Sequence, residues 1–278
     1  MSREVNRVGI VGTGVMGVGI AQIAAQAGLQ VVLFDKRDGA VSAARDGLQA
    51  TFDKLVGKGK VSRESADAAL LHLKVAESMA DLADCDVIIE AIVEDLEAKQ
   101  ALFTDLEAIV SRECILATNT SSLSVTAIAS GLSCPGRVAG FHFFNPVPLM
   151  KVVEVADGID TDNAVVDTLL ELASRLGHAG VHAQDTPGFI VNHAGRAYST
   201  EGLMILEESV AAPEDIDHIL REEAGFRMGP LELLDLTGLD VSHPAMESIF
   251  EQFYHDPRYR PSYVTQQMLK GNRLGRKT

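Results

Sequence analysis

The chain has 278 residues, 46% hydrophobic and 23% charged, with 24 Lys+Arg against 39 Asp+Glu and a formal net charge of -15. An acidic surface repels phosphate backbones and anionic lipid, which excludes nucleic acid and membrane surfaces as partners. At roughly 150 residues per domain the length predicts two domains. No apolar run nears the ~20 residues of a membrane span, and an odd, widely spaced set of cysteines (Cys85, Cys114, Cys134) without a CxxC pair predicts reduced thiols in a cytoplasmic protein.

The first residues lead straight into a strand at Val8-Gly9-Ile10-Val11, without a secretory signal core. A helix over 15–27 follows, with Gly28 in the C-cap position, and a buried strand over 30–34 closes on Asp35. Strand, glycine turn, helix and strand within about 30 residues make a βαβ unit. The alternation continues with helices over 41–56 and 62–73, a strand over 87–89, an amphipathic helix over 96–110, and strands over 115–117 and 138–143. Strands this apolar suit a parallel sheet covered on both faces. Two more strands, over 151–155 and 178–183, flank a helix over 163–176.

Beyond Asp185-Thr186-Pro187-Gly188 the pattern is helical, over 189–210, 214–224, 231–236, 244–253 and 262–269. Thr186 followed by Pro187 reads as an N-cap and first helical position. The expected fold class is α/β, a Rossmann-type doubly wound sheet over residues 1–185 followed by an all-α C-terminal domain over 186–278.

Gly12-Thr13-Gly14-Val15-Met16-Gly17 fits G-x-G-x-x-G. The first glycine permits the tight turn, the second lets backbone approach a pyrophosphate, and the third lets helix lie close on strand. The anion would sit at the helix N-terminus, facing N–H groups and the positive end of the dipole. The motif follows a strand, opens a helix and leads to an acid closing the second strand, which is its confirming context. Asp35, 18 residues after Gly17, stands where a carboxylate accepts from the adenosine ribose hydroxyls and repels a 2′-phosphate, so NAD is the expected cofactor. Lys36 and Arg37, directly after it, soften that preference.

Asn119-Thr120-Ser121-Ser122 and His142-Phe143-Phe144-Asn145-Pro146 each lie at the carboxyl end of a strand, where open α/β sheets build their ligand crevice. Ser121, His142 and Asn145 are therefore expected to face the nicotinamide. Glu154 falls inside an apolar strand, where a carboxylate needs a partner, and a histidine supplies one. Oxidising an alcohol requires a base for the hydroxyl proton as hydride leaves, and imidazole suits that task near neutral pH. A carboxylate on the second ring nitrogen fixes the tautomer and stabilises the imidazolium. Taken alone, His142 reads more readily as a core histidine satisfied by backbone, and it is the combination with Glu154, two polar loop sites and a nucleotide fold that favours catalysis.

These motifs, together with Val153-Glu154-Val155, Asp185-Thr186-Pro187-Gly188-Phe189-Ile190-Val191-Asn192 and Met228-Gly229-Pro230-Leu231-Glu232-Leu233-Leu234-Asp235, occur in order over nearly the whole chain. The chain resembles the short-chain L-3-hydroxyacyl-CoA dehydrogenases, among them bacterial 3-hydroxybutyryl-CoA dehydrogenases. The resemblance implies that His142 is the general base and Glu154 its orienting carboxylate. It gives Ser121 and Asn192 the substrate's 3-oxygen and thioester region, and places Glu94, Lys99, Asn145 and Lys277 at the NAD site. Thr51 and Lys58 match CoA-contacting positions, within a basic patch of Lys54, Lys58, Lys60 and Arg63 that otherwise reads as a solvated helix end. A homodimer is also implied. The stretch from Asn192 to Lys277 is similar to the first module of longer, duplicated enzymes of phenylacetate degradation that act on 3-hydroxyadipyl-CoA. Where many relatives carry Arg after the asparagine, this chain has His193.

Three competing readings differ in chemistry. β-Hydroxyacid dehydrogenases use a catalytic lysine in the helical domain, and this chain has none between Lys151 and Lys270. Gulonate-type dehydrogenases share the His–Glu pair but take substrates without CoA. A dinucleotide-binding sensor would have no use for the combined Ser121, His142, Glu154 and Asn192. His178 and His182, with Asp185 nearby, suggest a metal, but on a strand they stand too far apart, and no metal is expected.

Overall fold

Apolar runs of four to six residues bounded by turns become strands, and the longer periodic stretches between them become helices. The structure, a computed structural model, describes residues 3–278 and divides into one unit ending at Thr186 and another formed by Pro187–Thr278. The first unit runs β1 (Arg7–Val11), α1 (Val15–Gln26), β2 (Gln30–Phe34), α2 (Ala40–Gly57), α3 (Arg63–Leu71), β3 (Leu73–Val75), β4 (Val87–Glu90), α4 (Leu96–Ile109), β5 (Ile115–Thr118), α5 (Val125–Ala129), β6 (Val138–Phe143), β7 (Val152–Asp157), α6 (Asn163–Arg175) and β8 (Ala179–Gln184).

All eight strands form one sheet in the order β3-β2-β1-β4-β5-β6-β7-β8. The first six are parallel, in the 3-2-1-4-5-6 order of a dinucleotide-binding fold. The seventh reverses. A parallel return needs a crossover of a dozen or more residues, and the link from β6 to β7 is only 144–151, so β7 pairs antiparallel with β6. Helix α6 then gives β8 a crossover long enough to run parallel to β7. The alternate residues Val8, Ile10, Val31, Leu33, Val87 and Ile89 join Ile20, Leu48, Phe52 and Leu169 in a core that excludes water.

The three glycines of the turn differ in how far they tolerate another residue. Gly12 has φ +97°, and a Cβ there would lie 2.6 Å from the Ala91 carbonyl oxygen. A Cβ on Gly17 would lie 1.8 Å from the oxygen of Gly12, because α1 starts directly against β1. Gly14, the N-cap, has no heavy atom within 4 Å of its would-be Cβ.

The second unit runs α7 (Val191–Glu207), α8 (Pro213–Glu222), α9 (Pro230–Thr237), α10 (Leu239–Gln252) and α11 (Tyr263–Lys270). Leu203, Leu234, Leu239 and Met246 form its small core, with Leu231 against them. The Met228-Gly229-Pro230 stretch ends at a cap supplied from elsewhere in the unit: Asp217, on α8, accepts from the N–H groups of Leu231 and Glu232, both at 2.9 Å.

Four elements differ from the sequence reading. Leu73 leaves its expected helix for the edge strand β3, which at three residues carries no readable alternation. The five-residue α5 is likewise too short to show a period. Thr186-Pro187 does not start a helix: Gly188 at φ +79° and Phe189 at φ +46° are left-handed, so α7 begins only at Val191. Helix α10 begins at Leu239 and carries Pro244 inside it rather than at its start.

Gly17→Ala is expected to lower stability by about 1–3 kcal/mol, because the clash outweighs the ~1 kcal/mol that alanine ordinarily adds in a helix. Gly14→Ala, facing open space, is expected to change it by less than about 1 kcal/mol. Urea unfolding midpoints separate the two, and equal midpoints would contradict the close approach of helix to turn.

Candidate active site

The reversal of β7 sets the central contact. In the antiparallel register His142 lies directly opposite Glu154, and the His142 Nδ1 stands 2.7 Å from Glu154 Oε2. Both are buried, at 5% and 0% exposure. A carboxylate oxygen only accepts, so Nδ1–H donates and the neutral ring carries its basic lone pair on Nε2. The Phe144 ring covers the imidazole at 4.4 Å between centroids. A hydrogen bond to a buried charged group contributes about 1.5–3 kcal/mol and fixes the ring's orientation.

The loop after β5 is held from below by acids. Glu94 Oε1 accepts from Thr120 Oγ1 at 2.7 Å, from the Ser121 N–H at 2.8 Å, from the Ser122 N–H at 3.2 Å, and from the Ser121 and Ser122 hydroxyls at 3.3 Å each. Burial opposes the charge on Glu94, but Lys99 and these donors outweigh it and hold its pKa below the ordinary carboxylate value. Lys99 Nζ lies 3.4 Å from Glu94 Oε2 and 2.5 Å from Glu90 Oε1. Glu90, wholly buried at the end of β4, also accepts from the Ile92 N–H at 2.7 Å and from Thr118 Oγ1 at 2.6 Å. Asn119 Oδ1 accepts from the Phe143 N–H at 2.8 Å, tying this loop to the strand that carries His142.

Lys99, at 1% exposure, therefore lies beneath the surface, paired with Glu90 and beside Glu94. Glu90 was missed by sequence reasoning. It looks like the last residue of an apolar strand, and its only signal is a carboxylate where the sheet offers no solvent. In the sequence Asp185 belongs to the boundary motif and to a metal cluster that was set aside, and neither shows its structural part. Its carboxylate accepts from Ser124 Oγ and from the N–H groups of Val125 and Thr126, at 2.7–2.8 Å, and so fixes α5.

The glycine turn fits a dinucleotide. No side chain caps α1, Gly14 leaves an open cradle that a Cβ would fill, and Val15 is exposed beside it while Met16 is half-buried. Asp35 closes β2 beside this turn. Its Oδ2 accepts from the Thr13 N–H at 2.8 Å and Thr13 Oγ1 at 2.9 Å. Arg37 adds Nε to Oδ1 at 2.9 Å, Nη2 to Oδ2 at 2.7 Å, and its own backbone N–H to Oδ1 at 3.0 Å. The Arg37 guanidinium, aided by Thr13, holds the Asp35 carboxyl far below the usual range.

Asn145 is exposed just beyond β6. Thr51 Oγ1 donates back to the Gly47 carbonyl at 2.9 Å. Lys54, Lys58 and Lys60 are exposed at the end of α2, whereas Arg63 is engaged by Asp53 at 2.7 Å and Asp67 at 3.5 Å. Asn192 is the second residue of α7. His193 stands 2.8 Å from the Tyr259 hydroxyl. Lys277 Nζ meets Asp240 at 2.8 and 3.0 Å within the helical unit. His178 lies just before β8, buried between the carbonyls of Leu176 and Val147, both at 3.0 Å, while His182 pairs with Asp157. Burial pushes the Cys85 thiol up to about 11 and the Cys114 thiol up to about 12.

Comparison with known proteins gives two family matches in sequence: "3-hydroxyacyl-CoA dehydrogenase, NAD binding domain" over residues 7–186 and "3-hydroxyacyl-CoA dehydrogenase, C-terminal domain" over 188–278. The chain is 46% identical over 278 residues to the 3-hydroxyadipyl-CoA dehydrogenase of Escherichia coli K12, covering all of this chain but 58% of that protein. It is 39% identical over 272 residues to the 3-hydroxybutyryl-CoA dehydrogenase of Clostridioides difficile, covering 98% of this chain and 96% of the relative. Among solved structures, an E. coli 3-hydroxybutyryl-CoA dehydrogenase matches with TM-score 0.97 and 46% identity, over 99% of this chain and 58% of the other. The (S)-3-hydroxybutyryl-CoA dehydrogenase of Ralstonia eutropha matches with TM-score 0.94 and 36% identity, over 99% and 96%.

Lys99→Met is expected to destabilise the protein by roughly 3–5 kcal/mol, since it strips a buried carboxylate of its counter-charge. Adding Glu90→Gln to it should recover part of that loss. Thermal unfolding of the single and double variants checks this; additive losses would mean that the two side chains are not coupled.

Proposed function

This chain belongs to the 3-hydroxyacyl-CoA dehydrogenase family, and from that premise we propose that it oxidises an L-3-hydroxyacyl-CoA to the 3-ketoacyl-CoA, reversibly. The observation that supports this most directly is the buried His142–Glu154 pair at 2.7 Å. NAD, bound at the glycine turn, supplies the hydride acceptor. His142 takes the hydroxyl proton on Nε2, and Glu154 stabilises the resulting imidazolium, as an acid does behind the histidine of a hydrolase triad. Ser121 and Asn192 hold the substrate's oxygen and thioester region. Glu94 fixes the Ser121 turn, and Lys99, itself paired with Glu90, holds Glu94 in turn.

The CoA half of the substrate is an anion meeting an acidic protein, and the exposed Lys54, Lys58 and Lys60 offer it positive charge, with Thr51 beside them. The acyl group falls among the 3-hydroxybutyryl and 3-hydroxyadipyl classes named for the relatives. Phenylacetate degradation is the proposed setting for the second, and a reducing cytoplasm is the proposed compartment. Among the described residues no helix is long and apolar enough to cross a membrane. We further propose a homodimer through the helical unit, where Met204, Ile219, Leu236 and Val241 remain 47–58% exposed. Light scattering on the purified chain should give about twice the mass of 29.7 kDa; a monomer at micromolar concentration would exclude the dimer.

Oxidation of NADH with acetoacetyl-CoA tests the reaction, with free 3-ketoacids as the comparison. Saturation by both alike would favour a hydroxyacid enzyme without CoA, and turnover of neither would favour a sensor. His142→Gln is expected to lower kcat by ~10²–10⁴-fold while NADH binding holds. Glu154→Gln should act in the same direction by a smaller factor. Unchanged turnover in His142→Gln would remove the imidazole from the chemistry.

A further inference from the structure

In a dinucleotide fold, the acid closing the second strand accepts the adenosine ribose hydroxyls and thereby selects NAD over NADP. Asp35 holds that position here, but its two oxygens already accept five donors, two from Thr13 and three from Arg37. An ionised carboxylate offers about four acceptor sites, so this one is saturated. A ribose diol brings two more O–H donors and needs acceptors to receive them. The Thr13 contacts and the Arg37 backbone N–H belong to the folded loop. The side-chain fork from Arg37 is the part that can yield, because Arg37 is 64% exposed whereas Asp35 is 6% exposed.

The clamp has a second consequence. A guanidinium is always charged and matches phosphate as well as carboxylate geometry. In this structure it neutralises the acid that would repel a 2′-phosphate, and its third nitrogen, Nη1, takes no part in the clamp. Lys36, also exposed, adds a second cation next to it, while Asp38 lies one residue beyond.

We propose that Arg37 is a specificity-determining residue of the adenosine pocket: it competes with the ribose hydroxyls for Asp35 and offers a cation to a 2′-phosphate, so that the chain discriminates only weakly between NAD and NADP. The inference rests on the assignment of the glycine turn as the nucleotide site and adds to it a residue that weakens the selectivity Asp35 would otherwise impose. Both effects act in one direction. Releasing the fork weakens binding of the diol by at most about five-fold, the worth of a surface ion pair, and the charge-assisted contact strengthens binding of the phosphate.

Isothermal titration of the purified chain with 5′-AMP and 2′,5′-ADP, and with NAD and NADP, reads this directly without turnover. In Arg37→Ala, the ratio of Kd for 2′,5′-ADP to Kd for 5′-AMP is expected to rise about ten-fold or more, with 5′-AMP binding as tightly as before or tighter. Arg37→Lys keeps a cation but loses the fork. It should hold 2′,5′-ADP within about three-fold of the unsubstituted chain while 5′-AMP gains as in the alanine variant. A ratio unchanged within about two-fold in Arg37→Ala, with binding otherwise intact, overturns the role of Arg37 alone. Failure of the unsubstituted chain to bind any of the four nucleotides overturns both this role and the nucleotide-site assignment beneath it.

Discussion

A carboxylate inside an apolar strand is tolerable only if a hydrogen-bond donor meets it there. Glu154 is such a carboxylate, wholly buried in β7, and the imidazole of His142 is the donor, across one antiparallel step. The short link between β6 and β7 forces that step. A parallel β7 would need a crossover and a new register, and the acid would then face a different neighbour. The sheet's one antiparallel junction thus coincides with the pair on which the proposed proton transfer depends.

The polar elements around that pair follow the same logic of buried charge met by fixed donors. Glu90 and Lys99 offset one another below the surface, and Glu94 is left to gather the donors of Thr120, Ser121 and Ser122. With two acids and one lysine, the cluster carries a surplus negative charge that only the half-exposed Glu94 can share with solvent. Few rotamers remain open to these side chains, so the Ser121 turn is ordered before a ligand arrives. Such preorganisation is what electrostatic catalysis requires. The adenosine end differs: there Asp35 is already occupied by an exposed arginine that a ligand is able to move.

Features set by neighbouring residues were legible early. The glycine turn is one, since its backbone demands lie within six residues and its context within thirty. Asp35 is another, because the end of a strand can be counted. The alternation of apolar runs and amphipathic stretches disclosed most strands and helices of the first unit. It failed for β3 and α5, which are too short to repeat their period twice, and at 187–190, where Gly188 and Phe189 turn left-handed. The need of Glu154 for a partner could be read from the chain, whereas the NAD-site roles expected of Glu94, Lys99 and Lys277 came only by resemblance.

What the sequence determined by itself was local: a phosphate-cradling turn, an acid after the second strand, a histidine at a strand end, and a change from strand–helix alternation to a helical pattern near residue 185. Hydrophobic period, turn chemistry and residue spacing act over a few neighbours, so one dimension is enough to show them. Only the tertiary structure decided that β7 turns back and sets Glu154 against His142, that Glu90 underlies Lys99 and Asp217 caps α9, and that Arg37 saturates Asp35. The first three join groups brought together by strand register and helix packing, and the last depends on a rotamer. Neither register nor rotamer is fixed until the whole sheet has closed.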